Sequence, residues 1–390
     1  GRCSGWQADS RVFDTRFDLD PSIRTVFGAG TLDQLGDVAR AVASPHALLV
    51  TDPGLVACGL AERAAHILHA ADLRTTTFSA VAANPTTEHV DAGVAHARAA
   101  APIDLIVALG GGSAMDCAKG INFVLTNGGP MEAYHGHGQA ARAMLPSIGI
   151  PTTAGTGSEA QSYALITRAD TGEKMACGDR KARFHAVILD PELIASCPHA
   201  VSANAGIDAI AHAVESYVTT RRNLVSTLFA REAWRLLAPA FPASIKDSAD
   251  PTANAAMLLG AHYAGTAIEN AMLGAAHATA NPLTARYHIP HGQAVALMLP
   301  HVIRINGKVV DDLYGELCTE IQLSGGADAL ADHIIELKNL AGLPQRLSEC
   351  QVAEDRLCPM AEEATHQWTG TFNPLPLKKE DFLHLYTSAF

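Results

Sequence analysis

The strongest constraint on the fold is an order repeated through the first half of the chain: a short β-rich run, a turn, then an alanine-rich stretch with helical character. The runs His46 to Thr51, Thr75 to Phe78, Asp104 to Leu109 and Ser147 to Ile150 are apolar or β-branched, and they close on Asp-Pro-Gly, Asn-Pro, Gly-Gly-Gly and Pro-Thr-Thr turns. Between them, residues 60–71 and 88–100 have helical character and exposed charges. Strand, turn and helix in this succession predict an α/β domain, a parallel sheet with helices on both faces. After Pro198 the β-branched runs give way to Ala-rich segments with apolar residues at helical spacing, so the second half is expected to be helical. The boundary falls between Asp190 and Pro198, giving domains 12–198 and 199–390.

Composition narrows the partners. With 390 residues, 48% hydrophobic and 17% charged, the chain can bury a large core. Its 28 Lys and Arg against 40 Asp and Glu leave a net charge of -12, which repels phosphate backbones and anionic lipid, so neither nucleic acid nor a membrane is expected as a partner. The 8 cysteines are scattered with no CxxC pair, which reads as free thiols in a reducing compartment. Uncharged stretches such as Tyr287 to Ile303 fall short of a membrane span, and a cytoplasmic protein is expected.

Two constellations carry chemistry. Gly110-Gly111-Gly112-Ser113 leaves the most strand-like run and opens a helix toward Asp116 and Lys119. Glycines there let the backbone approach a phosphate, and a helix start offers free N–H groups and a positive dipole end. Asp52, ending an earlier strand, is placed to accept hydrogen bonds from an adenosine ribose, and its charge opposes a 2'-phosphate, which favours NAD over NADP. A GxGxxA match at Gly155 to Ala160 lacks a following acidic partner and is read as a decoy. In the second half, Asp208 and His212 share a helix face at i and i+4, and His277 and His291 flank the Asn281-Pro282 break. One carboxylate and three imidazoles suit a single divalent ion with an open coordination position. Glu215, one turn beyond His212, is a candidate to orient it or a solvated helix charge. With 18 histidines in the chain, His262, His288 and His301 stay open as alternative ligands.

The segments Gly110 to Asp116 with Lys119, Pro151 to Glu159, Gly206 to Glu215, and His277 to His291 with Pro290-His-Gly292 resemble, in order and spacing, the iron-containing (group III) alcohol dehydrogenases, from about Val12 to Asn306. The resemblance implies a Rossmann-like N-terminal dinucleotide-binding domain, an all-α C-terminal metal-binding domain and a cleft between them. It implies Asp208, His212, His277 and His291 as metal ligands, with Fe(II) favoured and Zn(II) an alternative. Gly111, Gly112, Ser113 and Asp116 would hold the NAD(H) pyrophosphate and Asp52 the ribose. Asn84, Thr152, Thr153 and Lys174 would line the same cleft. The activity implied is reversible hydride transfer between NAD(H) and a small primary alcohol or aldehyde, in a homo-oligomer, a dimer or larger. The alternative is an NAD- and metal-using lyase of the dehydroquinate synthase type. The basic run Arg180-Lys181-Ala-Arg183 would favour an anionic substrate if it reached the cleft, and is otherwise a solvated loop. Two departures stand out: Asn281 where relatives commonly carry a relay histidine, and Ile268 at a position often aromatic. An amide does not titrate near neutrality, so the proton is expected to travel by water, ribose hydroxyls or another histidine.

Overall fold

The computed structural model describes residues 16–43 and 45–390. Residues 12–15 of the expected first domain, and Cys3, lie outside them. Six strands form the main sheet: β1 (Arg24–Phe27), β2 (His46–Val50), β3 (Arg74–Phe78), β4 (Leu105–Gly110), β6 (Ser147–Pro151) and β9 (Ala186–Leu189), in the order β1-β9-β6-β4-β2-β3. All pairings in it are parallel. Helices α1 (Leu35–Val42), α2 (Pro53–Ala57), α3 (Leu60–Ala70), α4 (Thr87–Ala100) and α5 (Gly112–Asn127) make the crossovers.

The alternation of the strands puts Leu48, Val50, Ile106 and Ala108 on one face, packed with Val94 and Ala97 of α4 and Met115 and Ile121 of α5. Ala47, Leu49, Leu105 and Val107 face the other way, onto Leu35 and Val38 of α1 and Ala64 and Leu68 of α3. Both faces are covered, as the apolar runs required. Chain order reverses between β2 and β4: β3 lies on one side of β2 and β4 on the other, so their carboxyl ends splay a crevice where α2 and α5 begin.

Strand β1 and strand β9 were not anticipated. Nor was a second sheet, β5 (Gly136–His137), β7 (Tyr163–Thr167) and β8 (Lys174–Gly178), ordered β5-β8-β7 with β7 and β8 antiparallel. From His199 onward the described chain is helical: α6 (His199–Val218), α7 (Leu224–Lys246), α8 (Pro251–Ala271), α9 (Ala275–Tyr287), α10 (His291–Glu320), α11 (Ala327–Leu340), α12 (Leu357–Thr365) and α13 (Lys379–Ala389), joined by turns and short 3-10 segments. Helix α6 is the axis of this half and is buried continuously from Gly206 to Val218. Trp234 on α7, fully buried, donates its indole N–H to the Leu317 carbonyl of α10 at 2.7 Å. No described helix is long and apolar enough to cross a membrane.

The glycines of the decoy motif join the two halves. A Cβ on Gly155 would lie 2.7 Å from the Ala205 methyl, and one on Gly157, where φ is +61°, would lie 2.6 Å from the Gly265 backbone. Only glycine permits that approach and that conformation together. Beside them Glu159 and His262 form a buried pair, Oε1 to Nδ1 3.2 Å, between the sheet half and α8.

Candidate active site

The cleft opens at the β2/β4 crevice. Gly111, in extended conformation, caps α5, and the free N–H groups of the first turn from Gly112 point at it. The glycines are also needed for packing: a Cβ on Gly112 would fall 2.6 Å from Thr156, and one on Gly111 3.2 Å from Thr153. Ser113 Oγ accepts from the Asn84 amide at 3.3 Å, bringing two predicted residues from separate loops together. Across the crevice, Asp52 Oδ1 accepts from the Gly54 and Leu55 amides at 2.8 and 3.1 Å and caps α2. Its Oδ2 accepts no bond from a described residue and lies toward Gly110.

Asp116 is buried, and its Oδ1 accepts from Ser158 Oγ at 2.6 Å. Burial raises its pKa, opposed by the Lys119 charge. Lys119, also buried, donates to Ser158 O (2.6 Å) and Oγ (3.0 Å) and to the Gln161 and Tyr163 carbonyls (both 2.8 Å), tying α5 to residues 158–163. Lys174 lies on β8 in the cleft wall, and its pKa is lowered by desolvation against the pull of Asp116 and Asp208.

At the far end three helices converge. Asp208 and His212 stand one turn apart on α6, while His277 and His291 lie in the first turns of α9 and α10. Asp208 Oδ1 is 3.4 Å from His212 Nε2, 3.4 Å from His277 Nε2 and 3.9 Å from His291 Nε2. Donor atoms of Asp208, His277 and His291 all lie within 4.8 Å of one another, and His212 Nε2 joins them 3.1 Å from His277 Nε2. A glycine makes the third approach possible: a Cβ on Gly292 would sit 1.9 Å from the Asn204 carbonyl of α6.

The donor set fits a cation. Asp208 Oδ1 is buried and has no hydrogen-bond donor, yet three imidazole nitrogens surround it. An acceptor orphaned in that way is costly unless positive charge sits beside it. Burial would raise the Asp208 pKa, but His212 and the other two imidazoles hold it well below the usual carboxylate range. Burial lowers His212, and lowers His291 to about 3, the neutral form a ligand must have. His277 goes the other way: burial is overcome by the Glu215 carboxylate, and the group is pushed up to about 9.

Glu215 is where the structure corrects the sequence reading. It was expected to steer His212 or to face solvent, but it is buried and pairs with His277 Nδ1, while its Oε1 accepts from the Ala276 amide at 2.7 Å. That bond fixes the tautomer and leaves Nε2 free for a metal. The helix period placed Glu215 on the same side of α6 as the ligands, but no local signal could say which imidazole it meets.

Each predicted site residue lines one cleft of about 1110 Å³, from Asp52, Asn84, Gly111, Gly112 and Ser113 through Asp116, Thr152, Thr153 and Lys174 to Asp208, His212, His277 and His291. Ile268 lines it too, whereas Asn281 does not: its Nδ2 donates to Gln367 Oε1 at 2.9 Å. The basic run stays outside, with Arg180 paired to Asp18 and Arg183 to Asp20. His262 is held by Glu159, and neither His288 nor His301 belongs to the ligand cluster. Thr156, Ser158, Gln161, Tyr163, Leu165 and Leu273, given no site role from sequence, are among the other residues of its wall.

The family description "Iron-containing alcohol dehydrogenase" matches residues 21–191, and the C-terminal domain of that family matches residues 202–390. Alcohol dehydrogenase 4 of Saccharomyces cerevisiae is 32% identical over 370 residues, covering 93% of this chain and 96% of the yeast protein. The crystal structure of a 1,3-propanediol oxidoreductase superposes with a TM-score of 0.92 at 31% identity, covering 96% of this chain and 100% of that one. A sulfoacetaldehyde reductase from Bifidobacterium kashiwanohense, solved in complex with NAD+, gives a TM-score of 0.88 at 27% identity, covering 96% and 99%. From sequence order, fold and site together, the chain belongs to the iron-containing alcohol dehydrogenase family, and with it to the NAD-linked oxidoreductases that interconvert alcohols and aldehydes.

Proposed function

We propose that the cleft binds NAD(H) along the β2/β4 crevice and a small primary alcohol or aldehyde at its helical end, with one divalent metal held by Asp208, His212, His277 and His291. The observation that carries this reading is that the phosphate-type turn and the carboxylate–imidazole cluster open into the same cavity. When bound, a metal supplies Lewis acidity toward the substrate oxygen, and the nicotinamide takes or gives the hydride. The nitrogen and oxygen donors suit Fe(II), which the family name favours, and also Zn(II).

The chain's own residues do the rest. The Gly111 to Ser113 turn presents N–H groups to the pyrophosphate, with Asn84, Thr152 and Thr153 beside it. Asp52 keeps one carboxylate oxygen for its helix cap and offers the other to a ribose hydroxyl. Asp116, through Ser158, braces the segment that carries Thr156 against Gly112, and Lys174 offers its ammonium to the cofactor. Glu215 holds His277 so that the cluster keeps its shape. With Asn281 turned to Gln367, the alcohol proton is left to water, ribose hydroxyls or another histidine.

The division of labour falls at Pro198, supported by the helix that starts at His199 and by the two family matches meeting between residues 191 and 202. Free thiols at every described cysteine support a reducing, cytoplasmic setting. A dimer or larger assembly is supported by the edge strand β1, whose Phe27 is exposed along with Phe17 and Leu19. The lyase reading gains nothing from the site, because Arg180 and Arg183 are committed outside the cleft.

The test is nicotinamide absorbance with metal-free protein and with protein reconstituted anaerobically with Fe(II) or Zn(II), against neutral and anionic aldehydes. Metal-dependent NADH consumption is expected. NAD binding without net NADH change under any metal would return weight to the redox-neutral lyase.

A further inference from the structure

Helix α9 carries His277 in its first turn and opens without a cap of its own. Its N-cap, Gly274, has no side chain, so the Ala275 and Ala276 amides lack a local acceptor. Both are met from far along the chain: Glu215 Oε1 of α6 accepts from Ala276 at 2.7 Å, and Asn373 Oδ1 accepts from Ala275 at 3.2 Å. The glycine leaves them room, since a Cβ at 274 would lie 3.0 Å from Glu215 Oε1 and 3.1 Å from Asn373 Oδ1. Glu215 already has a role through His277. Asn373 does not line the cleft and has been given none.

Every hydrogen-bonding position of the Asn373 side chain is used. It is buried, its Nδ2 donates to Asn306 Oδ1 and to the Leu375 carbonyl, both at 2.7 Å, and its Oδ1 also accepts from Asn306 Nδ2 at 3.0 Å. Asn306, equally buried, stands on α10, the helix that carries His291. The segment leading to Asn373 runs as a splint along one face of α9. Gln367 Oε1 accepts from Asn281, Gly370 lies against Ala278, and Asn373 meets Ala275, so its partners fall at every third residue of the helix. The neighbouring Phe372 carbonyl accepts from the Thr220 amide at 2.9 Å, just past the end of α6. The strap therefore joins the three helices whose side chains form the cluster.

A helix that loses a capping acceptor loosens in its opening turn, and His277 stands in that turn. A metal site keeps its affinity only while its ligands stay within about 0.5 Å of their productive positions. We propose that Asn373, braced by Asn306, is a positioning residue: it caps α9 in trans and so holds His277 where Asp208, His212 and His291 share a cation with it. This rests on the metal-site reading above.

The test compares the full chain as wild type, Asn373→Ala and Asn373→Asp, metal-free and titrated with Co(II), whose visible absorption reports its ligand geometry. Both variants lose the bonds to Asn306 Oδ1 and the Leu375 carbonyl, so a merely structural role moves both alike. Only Asn373→Ala loses the acceptor for the Ala275 amide. Co(II) affinity is expected to fall about 10-fold in Asn373→Ala and to stay within about threefold of wild type in Asn373→Asp. In Asn373→Ala the absorption should change and the amides of residues 275–277 should exchange faster, with NAD affinity of the metal-free proteins unchanged. Equal Co(II) affinity in wild type and Asn373→Ala overturns the proposal, as does an equal loss in both variants. Affinity kept by Asn373→Asp while its 275–277 amides exchange as in Asn373→Ala would trace the effect to the added charge, and overturns it too. If Asn373→Ala does not fold, Asn373→Ser, with its shorter reach, takes its place. If wild type takes up no Co(II), the metal reading fails instead, and exchange alone judges the cap. Faster exchange at 275–277 in Asn373→Ala than in Asn373→Asp then sustains it, and equal exchange overturns it.

Discussion

The two halves of the cleft are made of different material. On the sheet side the proposed contacts are largely backbone: amides at the start of α5, glycines that let Thr153 and Thr156 close in, and an aspartate that doubles as a helix cap. On the helical side they are side chains, four of them from three helices, with a fifth, Glu215, holding one in place. A backbone site tolerates exchange of most neighbours but not of its glycines. A side-chain site fails with the loss of any one ligand, while the helices that carry it remain packed.

The sharpest way to break this contrast is His277→Ala. Loss of one ligand should abolish metal retention and reduce kcat/KM by several kcal/mol, on the order of 10³-fold, while NAD binding to the sheet side stays within about twofold. Metal analysis and cofactor titration on the same preparation decide it. Joint loss of both functions would show that the halves are one unit.

Glu215→Gln probes the same end more finely. The amide still accepts from His277 but carries no charge, so metal affinity should fall about 10- to 100-fold. The pH dependence has a definite sign. In metal-free protein His277 is raised to about 9, so its stabilising pair with Glu215 is fully present below the ordinary histidine pKa and is lost as pH rises through about 9. Metal must displace that proton, so uptake should improve with pH up to about 9 in wild type and level off at lower pH in the variant. Matching pH profiles of uptake would remove Glu215 from this role.

The smallest effect is expected on the sheet side. Asp52→Gly removes the charge that opposes a 2'-phosphate, and since glycine is a tolerated cap, the helix should lose only a few tenths of a kcal/mol. Preference for NAD over NADP should relax by about tenfold, read as a ratio of kcat/KM values. An unchanged ratio would mean that the ribose lies elsewhere.

Strand and helix order in the first half was legible because a buried parallel strand is written as a continuous apolar run and its turn as Gly, Pro and Asp. The strands His46–Val50 and Leu105–Gly110 and the glycine turn between β4 and α5 followed directly. Strand β1 escaped because only four residues pair, on an exposed edge, and the small sheet escaped because β7 and β8 are short and carry polar residues on the cleft face. The glycines at 155 and 157, read as a decoy from sequence, could not be assigned from it to the approach of α6 and α8.

Local periodicity and residue chemistry by themselves marked the buried strands of the first half that are written as apolar runs and the helices that follow them, and offered Asp208, His212, His277 and His291 as metal ligands while leaving His262, His288 and His301 open. Tertiary structure alone decided which imidazole Glu215 meets, that Asn281 turns to Gln367 rather than to the cleft, and that the basic run is spent on Asp18 and Asp20. The physical reason is separation: those contacts join residues from 62 to 163 positions apart, and the meeting of two distant side chains is fixed by how helices and sheets pack, which no local pattern encodes.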